Sequence, residues 1–464
     1  MSLRCADVWA RRYREALAEG VIKRRATVGG KAIRDLEGEP IEVACSKLHD
    51  GLRAVFLPTA RCCELIRNEV ERALAHAVKI YTHPTVVLRA AYSDFALGDT
   101  YVPTLISGPA GSGKTQLRLA IGRVLSERTE LCVDEAHPTV PLVEYADCVI
   151  GSQRSVAGVL QTLASPEVAK GNVRLREADL PRACARWQRV SGTCLLGVDE
   201  MQFMAQSSSA STLITRTMLS IAEIQIPWFV IANYSLGWKL ASRPAEATQR
   251  LLGRPTLLLP DRPDSEDWSS LLKEYALVGE EAFGFQLLDH TVDLWNLTAG
   301  LKRELVKLLV HAYRVARRSG SSVARWEHVE AAFHSLEFSV SRRDIDLLIA
   351  HSGQGVSRRA DLLCPFSGNE VNEQAQTYEE SLRAVRAAAL AGKVIAAAMN
   401  SGEKEAIQGL KASDGGADSA DSSQAVSPKR RGKRTVQGML AAARRAQQRR
   451  DSPGSRGEKP KGKP

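Results

Sequence analysis

The sequence holds no run approaching the ~20 consecutive apolar residues of a membrane span. Its start, MSLRCADVWARRYREALAEG, lacks the continuous apolar core of a secretory signal. A cytoplasmic protein with no membrane partner is therefore expected. Cys-x2-Cys spacing is also missing: the nine cysteines, at positions 5, 45, 62, 63, 132, 148, 184, 194 and 364, are scattered. That argues against a zinc site and for reduced thiols, with Cys194, inside an apolar run, reading as a small core residue. An evenly basic surface is lacking as well. Of the net +10 charge, a surplus of eleven sits in residues 428–464, where thirteen Lys or Arg face only Asp451 and Glu458, so the rest of the chain is near minus one. A basic arm on a balanced body suits a polyanion.

What is present centres on GPAGSGKT, Gly108 to Thr115, which fits the phosphate-loop pattern Gly-x4-Gly-Lys-Ser/Thr. The apolar run 102–107 predicts a strand before it, and 116–125 a helix after it. Gly108, Gly111 and Gly113 let the backbone turn its amides around a phosphate. Lys114 is the point charge for the β- and γ-phosphates, and the Thr115 hydroxyl is a magnesium ligand. The remaining loop positions, Pro109, Ala110 and Ser112, and Gln116 at the helix start complete the contact set for ATP with Mg2+. A chance Gly-rich turn is the bland alternative; the strand before and the helix after argue against it.

A second apolar run, 194–198, ends on Asp199-Glu200, 84 residues after Thr115. An acid pair at a strand tip beside a phosphate loop puts Asp199 by the magnesium and Glu200 by the attacking water, whereas alone it reads as a capping or surface pair. The strand predicted at 226–232 ends on Asn233, a residue type that orients water at such a tip or caps a helix. Arg243, Arg250 and Arg254 precede a strand at 256–259. From that position an arginine reaches a neighbouring subunit's phosphate, although a lone surface arginine is usually just solvated.

From 264 onward the pattern is helical, with helices at 265–275, 286–296, 300–317, 325–336 and 342–349. Lys302 and Arg303 open the central one, where basic side chains close onto a nucleotide or merely line an exposed face. In the first 100 residues one amphipathic helix stands out at 60–79, with Ile66, Val70, Ala73, Leu74, Ala77 and Val78 on its apolar face. Five divisions follow: an N-terminal adaptor (1–100), a nucleotide-binding domain (101–262), a helical lid (263–352), a docking and helical extension (353–414, with a docking strand near 359–366 and a helix at 378–399), and a disordered linker with the basic tail (415–464). The fold class expected is α/β, a five-stranded parallel sheet followed by a small all-helical lid.

In this order the motifs resemble the AAA+ family, and within it the transposition regulators TnsC and TniB. The cues are CLLGVDEMQFM (194–204), IPWFVIAN (226–233), RLLGRP (250–255), Pro260-Asp261 with SEDW (265–268), and LTAGLKRELVKLLVHAYRVA (297–316). The resemblance covers about 55–365. It implies that Asn233 is sensor 1, that Arg303 with Lys302 is sensor 2, and that Arg250 or Arg254 is the arginine finger. It also implies a homo-oligomeric ring or filament on double-stranded DNA, which marks a target, answers to a target-selector protein and recruits transposase subunits, with hydrolysis dismantling it. Arg154, Lys170, Arg174 and Arg176, in the loops after the second strand, are the candidates for DNA contact. A helicase loader or replication initiator shares the same core, and a scaffold that binds ATP without hydrolysing it is the third reading, which Glu200 argues against.

Overall fold

The structure, a computed structural model, describes residues 6–82, 100–125, 130–131, 140–150, 155–206, 210–351, 359, 362–366 and 369–399. Arg154 and the linker and basic tail expected at 415–464 lie outside them. Residues 1–394 form one compact unit, and of the second unit, which begins at Ile395, only the last turn of a helix is described.

The strands are β1 (Thr104–Gly108), β2 (Glu130–Leu131), β3 (Val140–Pro141), β4 (Ala146–Val149), β5 (Leu196–Asp199), β6 (Trp228–Asn233) and β7 (Arg254–Leu257). β2 and β3 pair as a separate antiparallel ladder. The other five form one sheet in the order β4-β5-β6-β1-β7, and every pairing in it is parallel. β1, β5 and nearly all of β6 are buried, as strands covered on both faces must be, which explains their unbroken apolar reading. The expected α/β class is the one observed: a five-stranded parallel sheet followed by a helical lid.

The lid comprises helices Glu266–Val278, Thr291–Thr298, Lys302–Arg318, Trp326–His334 and Ser339–His351. Its first helix starts where the Ser265 hydroxyl accepts from the Trp268 amide at 3.2 Å. The element predicted at 286–296 is instead a 3-10 turn, Leu287–His290, running into the helix at Thr291.

The N-terminal segment is shared between two cores. Trp9, Tyr13, Ile66 and Val70 pack with Ile106, Ile121 and Phe229 of the sheet layer, whereas Leu48 and Leu52 of helix Ile41–Ala54 pack with Trp268, Leu308 and Tyr313 of the lid. Helix Ala60–Ile80 buries Ile66, Val70, Ala73 and Ala77, but Val78 is 44% exposed, while Glu69 and His76 face inward. Glu69 is tolerated there because Arg72 pairs with it at 2.6 Å. The same guanidinium donates to the Thr104 hydroxyl and the Val102 carbonyl, which ties this helix to the start of β1.

Candidate nucleotide site

The loop leaves β1 at Gly108 and enters helix Lys114–Val124. Gly111 and Gly113 have φ of +90° and +99°, values open to glycine but strained for L side chains. A Cβ on Gly108 would overlap the Leu258 carbonyl, so glycine is required there for close approach instead. The Lys114 ammonium is turned into the loop, donating to the carbonyls of Gly108 at 3.0 Å and Pro109 at 2.7 Å. Burial pulls its pKa down to about 7, with Arg303 adding to the fall and Asp199 and Glu200 opposing it. The Ser112 hydroxyl is buried without a hydrogen-bond partner. An orphaned donor in a cradle that also holds a desolvated ammonium fits an anion. Gln116 is engaged elsewhere, since its amide donates to the Arg53 carbonyl at 2.9 Å.

β5 brings Asp199 and Glu200 to the same end of the sheet. Asp199 is buried; one carboxylate oxygen accepts from the Glu200 amide at 2.8 Å and the other from Arg118 Nε at 3.1 Å. Glu200 sits in the left-handed region, φ +62°, a strained setting for a side-chain-bearing residue. Its carboxylate accepts from the Gln202 amide. Burial, then the Asp199 charge, raises its pKa above the usual carboxylate range, against Lys114 and Arg303. The Thr115 hydroxyl and the Asp199 carboxylate are hard oxygen donors, the chemistry that magnesium takes.

Asn233 ends β6 directly opposite Gly108 in the β1–β6 register. It precedes helix Tyr234–Ala241, yet its side chain makes no capping bond, so the bland reading as a cap does not describe it.

The lid closes the site from above. Ala299 and Gly300 both have positive φ, and this turn aims helix Lys302–Arg318 at the loop. The Arg303 amide donates to the Gly111 carbonyl at 3.2 Å, and its side chain, 53% exposed, bonds Glu304 at 2.8 Å. Lys302 is separated from it in role. Its ammonium pairs with Asp261 at 2.9 Å, and although burial works against the charge, Asp261 outweighs it and holds the pKa up.

The remaining candidates lie away from the loop. Arg254 is exposed at the first residue of β7, opposite Thr104, and so at the far end of the sheet from Gly108. Arg250, also exposed, pairs with Glu246 at 3.1 Å. Lys170, Arg174 and Arg176 are exposed between helices Val156–Leu163 and Leu180–Val190, in a stretch that holds a short helix, Pro166–Ala169, and irregular backbone. Arg176 is paired with Asp179 at 3.0 Å.

One feature escaped sequence reasoning. Arg118, one turn after Lys114, is buried against Asp199; a lone arginine on an otherwise apolar helix face was the available signal. The docking segment expected near 359–366 is irregular at residues 362–366 rather than a strand. The Trp238 indole donates to the Leu363 carbonyl at 2.9 Å, and Pro365 and Phe366 fill the space above Gly237. Helix Asn369–Ala398 follows, beginning nine residues before the position the sequence suggested, and its Tyr378 hydroxyl donates to the Ala299 carbonyl at 3.0 Å.

No family model matches the sequence, and comparison with curated proteins finds no match. Solved structures with a similar fold include the Aeropyrum pernix ORC1 protein in complex with DNA, at 19% identity over 68% of this chain and 73% of that one, TM-score 0.41. The Aeropyrum pernix ORC2 protein in ADPNP–ADP complexes is 14% identical over 80% and 89% of the two chains, TM-score 0.39. The Thermotoga maritima RuvB Holliday junction branch migration motor is 12% identical over 62% and 76%, TM-score 0.32. At these identities and scores the likeness carries no functional argument.

Proposed function

We propose that this chain is an ATPase switch of the AAA+ type that assembles on duplex DNA and regulates transposition, marking a target and recruiting or activating a transposase until hydrolysis releases it. The observation that carries the ATPase reading is the convergence of Lys114, Glu200, Asn233 and Arg303 on one glycine-walled loop. The water oxygen attacks the γ-phosphorus as the bond to the β–γ bridging oxygen breaks, giving ADP and phosphate. Glu200, whose raised pKa suits a base, takes the water's proton, and Asn233 orients that water. Lys114, the loop amides and Arg303 hold the phosphoryl oxygens as charge shifts to the leaving group. Thr115 and Asp199 would hold a magnesium ion, which would supply charge neutralisation of the phosphates.

Arg254 and Arg250 cannot serve their own loop from the far end of β7, so their place in this reading is a neighbour's site. An arginine supplied across an interface makes oligomer state depend on nucleotide state. Lys170, Arg174 and Arg176, with the basic arm, are phosphate contacts with little base readout. Transposition itself rests on the motif resemblance. Incubation with ATP and a duplex, followed by sedimentation and electron microscopy, tests the assembly: ATP-dependent oligomers on DNA are expected, and monomers under all conditions would sink it. Stimulation of a transposase rather than delivery of a helicase separates this reading from the loader.

Deletion of residues 428–464 removes eleven net positive charges. DNA affinity at low salt is expected to fall at least about tenfold and its salt dependence to flatten, with ATP turnover unaltered. Equal binding at every salt concentration would remove the arm from DNA contact.

Lys114 also makes a pH-dependent expectation. Its pKa of about 7 in the folded chain lies below the ordinary 10.5. The unfolded chain therefore binds more protons between those values, and stability of the nucleotide-free protein rises with pH across that window. A bound polyphosphate restores the charge, so binding above pH 7 takes up a proton and weakens as pH rises, by up to about tenfold per unit. Calorimetry at pH 8 in buffers of different ionisation enthalpy should show an uptake of roughly 0.9 proton per nucleotide. An uptake near zero would mean that Lys114 stays charged in the free protein.

A further inference from the structure

Arg118 is buried on helix Lys114–Val124 together with Lys114, and it touches two carboxylates rather than one. Its Nε donates to Asp199 at 3.1 Å and its Nη1 to Asp147. The register explains the meeting. Asp147 of β4 lies opposite Gly197 of β5, two residues before Asp199, so both acids project from the same face of the sheet, the face that this helix covers. Glycine at 197 is what makes room: a Cβ there would overlap the Tyr145 hydroxyl, which itself donates to Asp147 at 3.2 Å. The three charged groups differ in solvent access. Side-chain exposure is 3% for Asp199, 8% for Arg118 and 35% for Asp147.

These differences matter for the metal ligand. Both Asp199 oxygens accept from protein donors and one is held by the buried guanidinium, so a divalent cation that takes that oxygen shares or displaces the Arg118 contact. A buried guanidinium stripped of its carboxylate is strongly unfavourable. Asp147, already in contact and partly solvated, removes that penalty by keeping Arg118 paired when Asp199 turns away.

We propose that Asp147 is the alternate partner of Arg118, a positioning residue that lets Asp199 exchange a guanidinium for a divalent cation. The inference rests on the reading of Thr115 and Asp199 as magnesium donors. Asp147 is assigned no contact with nucleotide or metal and acts through Arg118. Its function is to set how readily Asp199 is released.

Binding of a fluorescent ADP, measured on the full chain in EDTA and across a MgCl2 titration, tests this without any turnover. In Asp147→Asn the MgCl2 midpoint for tightening is expected to rise about tenfold or more, with affinity in EDTA within about twofold of the parent, the range seen when outer partners of metal ligands are removed. Asp147→Glu should keep the parent midpoint. In an Arg118→Gln background the same Asp147→Asn change should have no effect on the midpoint, because there is no guanidinium left to pair. An unchanged midpoint in Asp147→Asn, or an equal shift in both backgrounds, overturns the proposal. Ligand-free melting curves identify a variant that fails to fold, and Asp147→Glu then carries the comparison: a midpoint shifted as far as a carboxylate loss would shift it also overturns the idea. Failure of the parent chain to bind ADP in either condition is a different result, which removes the nucleotide-site reading itself.

Discussion

Replacing Lys114 with Met is expected to weaken ATP and ADP binding by about 100-fold or more, equivalent to at least ~2.7 kcal/mol, while the nucleotide-free protein melts within a few degrees of the parent. The two halves of this expectation have opposite physical origins. In the free protein the ammonium is buried and held only by the Gly108 and Pro109 carbonyls, and burial has pulled its pKa from 10.5 to about 7. A shift of that size means that keeping the charge at neutral pH costs the fold on the order of a few kcal/mol. Met removes this cost but leaves two carbonyls without their donor, which costs about 1–3 kcal/mol each. The terms nearly cancel, and for a chain of this size each remaining kcal/mol moves Tm by only about 2 °C. With nucleotide present there is no such cancellation, because the phosphates lose their one buried cation. Equilibrium binding of a fluorescent nucleotide and a ligand-free thermal melt check the two halves. Near-parental affinity in Lys114→Met would mean that the loop does not hold phosphate.

Glu200→Gln is expected to lower ATP turnover by about 10²–10⁴-fold, the usual contribution of a positioned general base. ATP affinity should remain within about threefold, since an amide of the same shape keeps the Gln202 contact and the burial. The bound state then persists, and ATP-dependent assemblies on DNA should outlast those of the parent. Single-turnover hydrolysis and the lifetime of DNA-bound oligomers after dilution are the two readouts. A turnover loss below about tenfold would place the base elsewhere, and failure of the variant to assemble with ATP would contradict the switch. The backbone at Glu200 sharpens this expectation. With φ at +62°, the carboxylate is presented from a strained turn immediately after the buried Asp199, a geometry that persists only where surrounding contacts enforce it.

Much of the site is legible in local sequence because its parts are local in origin. Gly111 and Gly113 are readable as turn residues since only glycine takes their φ without strain. β1, β5 and β6 are readable because a parallel strand covered on both faces must be apolar without interruption, and a glycine or polar residue at its tip ends the run. Boundaries moved by one or two residues for β1, β5 and β6, as helix and strand ends do when hydrogen bonding rather than side-chain type sets them. The first 60 residues are the least legible. The apolar side chains of helix Ile41–Ala54 match a surface, the lid, that is more than 200 residues away in the chain.

The sequence by itself determined that a glycine-rich loop, an acid pair and a polar strand tip follow one another, each at the end of an apolar run. These are properties of dihedral preference and hydrophobic period, which act over a few residues. Only the tertiary structure decided which charges meet. Lys302 and Arg303 are adjacent in sequence, yet one is taken by Asp261 and the other lies over Gly111, because the turn at Ala299-Gly300 rotates the helix that carries them. Nothing in the local sequence joins Arg118 to Asp147; the β4–β5 register and the helix above it bring both onto Asp199. Pairing between distant residues depends on strand order and on which face a side chain leaves, and neither is encoded within the reach of a local motif.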